Sequence, residues 1–311
     1  MTISNSVTKA SSSSASARLI AMICFAMLAF AANSLLCRLA LKHTNIDAAS
    51  FSVVRLASGA SVLWLLCALR RTSTIGIGIG IGIGIGIGIG KGSWQGAAAL
   101  FVYVFAFSFA YRHLETGTGA LLLFGAVQLS MVLYGMFKGE RMHTLAVVGF
   151  VLAIIGLVSL LLPGAAAPDP VSALTMLLSG VAWGIYSLLG KTVADPLATT
   201  TGNFLRSIPL VLMASLPFLS ALRWDPLGIL YAVLSGALAS GVGYAVWYVA
   251  VRYLAAFQAA TVQLSVPILA SLAGIVFLGE SLSVRMVLAS IAVLGGVALV
   301  LGGKHGRATG S

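Results

Sequence analysis

Apolar segments of about 20 residues follow one another along this chain, roughly ten of them, at approximately 19–41, 48–69, 94–113, 117–137, 144–162, 172–193, 198–219, 227–250, 257–278 and 284–302. A run of that length crosses the hydrocarbon of a bilayer as a helix. No water is present there to satisfy backbone N–H and C=O groups, so only helices or a closed barrel can span it. A barrel needs short alternating strands, and strict alternation occurs at one place only, Ile75–Gly90. The expected fold class is an all-α polytopic membrane protein with about ten transmembrane helices. A soluble fold is excluded by composition. Of 311 residues 59% are hydrophobic and 8% charged, with mean hydropathy +1.06, too little charge to cover so much apolar surface.

The net charge of +11 belongs to topology. With both termini inside, the inner ends of the segments carry Lys9, Arg18, Arg70, Arg71, Lys91, Lys138, Arg141, Lys191, Arg252, Lys304 and Arg307, and the outer ends carry Arg38, Lys42, Arg112, Arg223 and Arg285. That is 11 against 5, the bias that holds basic loops in the cytoplasm. No basic aromatic patch or zinc-finger spacing accompanies it, so no nucleic-acid partner is expected. The three cysteines, Cys24, Cys37 and Cys67, lie in or at the ends of spans, without metal-ligand spacing, and read as small buried hydrophobes. Residues 1–17, rich in Ser, read as a disordered cytoplasmic tail, and 303–311 as a cytoplasmic C-terminal tail. Ile75–Gly90 is eight Ile-Gly pairs. Glycine at every second position makes a helix costly, by about 1 kcal/mol each. The tract is read as a flexible low-complexity insertion in the inner loop after Arg70-Arg71.

The two halves of the chain resemble each other. Phe137-Lys-Gly-Glu140 matches Phe277-Leu-Gly-Glu280 at an offset of 140, and Tyr111-Arg-His-Leu114 lies over Val251-Arg-Tyr-Leu254 at the same offset. Ser34-Leu-Leu-Cys-Arg38 matches Ser187-Leu-Leu-Gly-Lys191 at 153, and Arg55 matches Arg206 at 151. The Ile-Gly insertion falls in the interval where the offset changes. The halves run 18–162 and 172–302, each with five helices. An odd number turns the second half upside down relative to the first, an architecture of inverted repeats found in transporters. These matches, with the Trp183–Lys191 segment, the small-residue run Thr116–Ala120 and Pro267, make the chain resemble the EamA-type branch of the drug/metabolite transporter superfamily over residues 18–302. The resemblance implies ten helices in two inverted five-helix repeats, cytoplasmic termini, and movement of small metabolites, commonly export of amino acids or related compounds, across a bacterial inner membrane. Two departures stand out: Val127-Gln128 where the second repeat has Pro267-Ile268, and the Ile-Gly tract.

Polar groups inside spans are costly and mark function or pairing. Arg55 and Arg206 lie about 7 residues into their expected helices, ~10 Å deep and within snorkelling reach. Each is either a structural anchor or a group that attracts an anion or pairs across a gate. Glu140 and Glu280 close the fourth and ninth helices, where a carboxylate opposes the helix dipole, so each calls for a partner; the readings are structural pairing or gating. Candidates for the lining of a substrate cavity are Asn33, Tyr103, Gln128, Tyr134, Trp183, Tyr186, Tyr244, Trp247 and Gln263, deep amides and aromatics, with Ser108 and Ser130 beside them. Trp94 and Trp224 fit interface anchors. Ala232, Gly236 and Ser240 recur every four residues as a packing stripe, and Pro209 and Pro267 are expected to bend their helices. All seven acidic residues fall near or beyond span ends, so no buried carboxylate relay is expected.

No phosphate loop, metal-ligand cluster or nucleophile–base pair is present, so the expectation is no enzyme activity, no cofactor and no metal. The expected partners are a small-molecule substrate and the lipid bilayer, with the chain as monomer or homodimer. The reading is a secondary transporter working by alternating access, with uptake or multidrug efflux as alternatives within transport. The rival from another class is a non-transporting membrane interaction protein or receptor.

Overall fold

The computed structural model describes residues 3–72, 91–139, 144–162, 167–190, 193–251, 253–254 and 262–302. Every element among them is helical: α1 (Ile3–His43), α2 (Ala48–Thr72), α3 (Trp94–Ala110), α4 (Thr116–Phe137), α5 (Thr144–Leu161), α6 (Pro170–Gly190), α7 (Pro196–Ser215), α8 (Pro226–Val233), α9 (Gly243–Val251), α10 (Ser265–Leu278) and α11 (Val284–Gly302). A 3₁₀ turn, Leu216–Ala221, follows α7, and a π-helical segment, Leu234–Val242, joins α8 to α9. Seven helical stretches are long and apolar enough to cross a membrane, and three shorter apolar helices, Trp94–Ala110, Ser265–Leu278 and Val284–Val300, occupy the other expected segments. The Ile-Gly tract and Glu140 lie outside the described residues.

The starts and stops follow local chemistry. Asp47 accepts the Ala49 and Ser50 N–H groups at the start of α2, Ser93 accepts the Gly96 N–H in α3, Asp195 that of Ala198 in α7, and Asp225 those of Leu227 and Gly228 in α8. Each satisfies donors that a helix start leaves open. Pro170, Pro196 and Pro226 open α6, α7 and α8, where a missing N–H costs nothing. Gly139 (φ 85°) and Gly279 (φ 62°) follow α4 and α10 in the left-handed conformation that ends a helix. These are the glycines of the two Phe-x-Gly-Glu motifs, so the repeated sequence carries a repeated turn.

Glycines set the closest crossings. A Cβ on Gly236 would strike the Arg55 carbonyl oxygen and the Ser58 hydroxyl, so α2 and the π segment meet backbone to backbone. A Cβ on Gly149 of α5 would meet the Gly296 carbonyl of α11, and the reverse also holds. Small residues at such crossings let helices approach where lipid gives no hydrophobic drive for association. The outer faces stay apolar: on α5, Val147, Val148, Val151, Ile155 and Val158 are all exposed, as a lipid-facing surface requires.

Helix α1 is helical from Ile3. Two expectations are corrected. The eighth segment is not one α-helix but α8, a π segment and α9. Pro267 is the third residue of α10, in its first turn, where a missing N–H leaves no helical bond unmade. Pro209 lies inside α7, where it gives its turn no N–H.

Candidate functional site

The π segment organises the polar centre of the molecule. Asn33, in the C-terminal part of α1, is buried, and its Oδ1 accepts hydrogen bonds from Ser235 Oγ (2.8 Å) and Ser240 Oγ (3.2 Å). These serines are five residues apart, one turn of a π-helix, so both hydroxyls come to the same face. On an α-helix a five-residue step would carry the second serine away. Ser240 Oγ in turn accepts from Arg55 Nε and Nη2, each at 3.4 Å, and Nη2 also donates to the Tyr103 hydroxyl at 3.1 Å. The chain Ser235–Asn33–Ser240–Arg55–Tyr103 ties α1, α2 and α3 to the π segment.

Arg55 is 1% exposed. Though within snorkelling reach, its guanidinium faces inward, 4.7 Å from the Phe107 ring centroid and 5.4 Å from that of Tyr103. The π faces offset part of its desolvation. Its Nη1 has no hydrogen-bond partner. Arg206, its counterpart in the sequence repeat, is half-buried and donates from Nη1 to the Gly202 carbonyl of its own helix at 3.2 Å. The two arginines thus differ in surroundings, one central and one holding a helix turn.

Beside Arg55 lies a narrow cavity lined by Phe30, Asn33, Ser34, Tyr103, Phe107, Leu123, Phe124, Trp183 and Tyr244. Its rings pack in series: Tyr103 on Trp183 at 4.7 Å, Trp183 on Tyr244 at 5.0 Å, and Phe30 on both Tyr244 and Trp247 at 5.8 Å. The space between them is about 10 Å³, barely room for one water. No metabolite enters it without movement of side chains or helices. A second recess of about 130 Å³ opens beside the α6–α7 joint, lined in part by Lys91, Ser93, Tyr186, Thr200 and Asn203. Tyr186 also stacks on Trp183 at 5.6 Å, so that pair of rings separates the two spaces.

Of the residues singled out in the sequence, Asn33, Tyr103, Trp183 and Tyr244 line the cavity together, and Tyr186 and Trp247 touch it through ring contacts. Gln128 is buried in α4 but not in the lining, and Gln263 is half-buried in the helical turn before α10. Tyr134 is 46% exposed, with Lys138 Nζ 5.7 Å from its ring. Sequence reasoning missed Phe30, Phe107 and Phe124, which read as ordinary apolar residues, and Ser235. It counted Ser240 only as packing. The available signal was spacing: Phe30, Asn33 and Ser34 share one face of α1, as Tyr103 and Phe107 share one face of α3.

Charged clusters close both ends of the bundle. At one end Glu280 leaves the left-handed turn after α10 and accepts the Thr116 N–H at 2.8 Å, at the start of α4. The carboxylate that opposes its own helix dipole therefore sits at the favourable end of another. Arg38 Nε lies 3.5 Å from the same carboxylate, while Arg38 Nη1 donates to the Tyr111 and Arg112 carbonyls at 2.9 and 2.8 Å, beyond the last turn of α3. One ion pair thus caps both sides of the α3–α4 joint. At the opposite end Asp195 pairs with Arg70 at 3.0 Å and Lys91 at 3.7 Å, joining the end of α2, the approach to α3 and the start of α7. Partial burial works against the Asp195 charge, but the Ala198 N–H and the Arg70 and Lys91 cations outweigh it and hold the carboxyl below its usual value. Among the described residues no group of three or more His, Cys, Asp or Glu could hold a metal ion.

Comparison with known proteins gives this arrangement a lineage. A protein of Pseudomonas aeruginosa, itself uncharacterized, is 54% identical over 291 residues, covering 94% of this chain and 97% of that protein. An uncharacterized transporter of Archaeoglobus fulgidus is 29% identical over 196 residues, covering 60% of this chain and 68% of that protein. A solved crystal structure shares the fold at TM-score 0.60 and 17% identity, covering 91% of this chain and 96% of that one. The family model for EamA-like transporters matches residues 171–302. The chain is a multi-pass membrane protein that belongs to the EamA-like transporter family of the drug/metabolite transporter superfamily.

Proposed function

We propose that this protein is a secondary transporter of small metabolites such as amino acids or related compounds, an exporter working by alternating access in a bacterial inner membrane. The observation that carries the reading is the central cavity. It is lined from both halves of the chain, by Asn33, Tyr103 and Phe124 on one side and Trp183 and Tyr244 on the other, and lies between two charged closures at opposite ends of the bundle. An aromatic cavity with a few fixed polar groups is the usual form of a small-molecule site. Opening either closure while the other holds gives access to one side at a time.

In this reading the three shorter apolar helices cross as well, giving ten spans in two inverted repeats. The matched left-handed glycines 139 and 279, and the aspartates capping α2 and α7, support that pairing. The excess of basic residues at the Arg70–Lys91 end supports placing that end and both termini in the cytoplasm. The recess beside Tyr186 is then the cytoplasmic vestibule, and the Trp183–Tyr186 pair its inner gate.

The test is flux through purified protein in liposomes. A mixed load of amino acids, amines, nucleosides and small organic acids is followed by mass spectrometry, with and without a pH gradient. Saturable movement of one class, lost on Trp183→Ala, is expected. Folded protein that moves nothing in either orientation counts against transport and in favour of a receptor role.

A further inference from the structure

Arg55 is a buried cation that no acidic side chain among the described residues pairs with. A charge taken out of water in a membrane is expensive unless paired. Among the described residues the ion pairs join Arg38 to Glu280, and Arg70 and Lys91 to Asp195; none reaches Arg55. Among the described residues its hydrogen bonds go to neutral hydroxyls, those of Tyr103 and Ser240. Two aromatic faces supply the rest of its stabilisation, and Nη1 bonds to nothing. Two other arginines of the bundle are tied to backbone carbonyls, Arg206 to Gly202 and Arg38 to Tyr111 and Arg112, whereas among the described residues none of the hydrogen bonds of Arg55 goes to a carbonyl.

The position of this cation matters as much as its charge. Tyr103 and Phe107, which hold the guanidinium, are also walls of the central cavity, and Asn33 of the lining shares Ser240 with it. The remainder of the lining is apolar or aromatic: Phe30, Leu123, Phe124, Trp183 and Tyr244. Among the described residues no acidic side chain lines the cavity, so no carboxylate there forms an ion pair with an ammonium group or with the guanidinium.

We propose that Arg55 is the substrate anchor of the transporter, and that the substrate class is a metabolite bearing one carboxylate on an apolar or aromatic body. The proposal rests on the transport reading and narrows it. A single cation is neutralised by a single negative charge, so a phosphate dianion leaves one charge uncompensated in the interior. As the cavity widens, the carboxylate takes the open Nη1 and replaces Tyr103 and Ser240 as acceptor. The fork of the guanidinium suits a carboxylate through two parallel bonds. The loaded site is then neutral, which eases movement of the bundle around it.

The experiment uses the full-length protein in detergent and in liposomes. Binding is followed by the fluorescence of the cavity tryptophans for four probes of similar body: phenylacetate, phenylacetamide, phenethylamine and phenyl phosphate. Phenylacetate is expected to bind at least ~10-fold more tightly than the amide, the scale of a charge-assisted hydrogen bond, with the amine and the phosphate weaker still. Arg55→Gln abolishes the preference for acid over amide, and Arg55→Lys retains part of it. Should Arg55→Gln not fold, Tyr103→Phe serves. It frees Nη2 of one acceptor and leaves the preference for the acid intact or increased. Equal binding of acid and amide by the wild type, or an unchanged preference in Arg55→Gln, overturns the proposal. Flux separates this failure from that of the broader reading. Saturable flux of a neutral or cationic compound, indifferent to Arg55, retires the anion site and keeps transport. Arg55-dependent binding of phenylacetate without saturable flux of any compound keeps the site and retires transport.

Discussion

At the scale of single residues, the molecule places its charges by what each can pair with. Arg38 and Glu280 are 11% and 7% exposed, and each combines the charge of the other at 3.5 Å with a hydrogen bond to an end of α3 or α4. Removing one member of a buried pair costs more than the pair contributes, because the survivor stays desolvated. Glu280→Ala leaves the Arg38 charge unpaired and the Thr116 N–H without its acceptor, and is expected to cost about 3 kcal/mol. Glu280→Gln keeps an acceptor for Thr116 while losing the charge, and is expected to cost about 1–2 kcal/mol. Denaturation of the purified variants in detergent checks the order; an alanine variant as stable as the glutamine variant removes the capping role. In the sequence, Glu280 stood out because its charge opposes its own helix. Its partner did not stand out, since Arg38 is more than two hundred positions away and counts there only as a basic residue at a span end.

Elements were the most legible scale, because a lipid solvent leaves little choice of backbone structure. The apolar runs at 48–69 and 172–193 give the helices Ala48–Thr72 and Pro170–Gly190 to within about three residues at each end. Rotation about each axis is another matter. A helix apolar all round has no face written in its sequence, so Tyr134 and Tyr103 look alike there. One lies outside beside Lys138 and the other lines the cavity. The π segment was hidden for a related reason: Ala232, Gly236 and Ser240 at four-residue spacing suit an α-helix equally well. What selects the wider turn is tertiary, the single Asn33 oxygen that takes both Ser235 and Ser240. The same segment presses Gly236 against the α2 backbone at Arg55. Gly236→Leu is expected to cost about 1–3 kcal/mol, since the opposing atoms are backbone and cannot rotate aside. Leu238→Ala, on the exposed face of the same segment, is expected to stay within about 0.5 kcal/mol. Thermal unfolding of the two variants measures the contrast, and equal losses remove the close-crossing account.

Seen whole, the two closures are unequal, and that inequality carries a direction. The Arg38–Glu280 pair is shielded and caps two helices, whereas Arg70 and Lys91 are 62% and 58% exposed and share one carboxylate that is 22% exposed. Exposed pairs contribute little and are screened by salt, while buried ones are screened far less. The Asp195 end should therefore open first, exposing the recess by Tyr186 before the opposite end moves. Raising salt to about 1 M, where the screening length falls to about 3 Å, loosens only that end. Acid acts in the same sense. The Asp195 carboxyl titrates below its usual value in the folded protein, so its contribution is complete above the ordinary carboxylate range and disappears as pH falls through the lowered value. Hydrogen–deuterium exchange in nanodiscs reads both ends at once. High salt, or Asp195→Asn at any salt, is expected to raise exchange around the start of α7 while the α3–α4 joint stays protected. If the α3–α4 joint loosens first or equally, the bundle does not open from the Asp195 end, and the order of gates proposed for export is reversed.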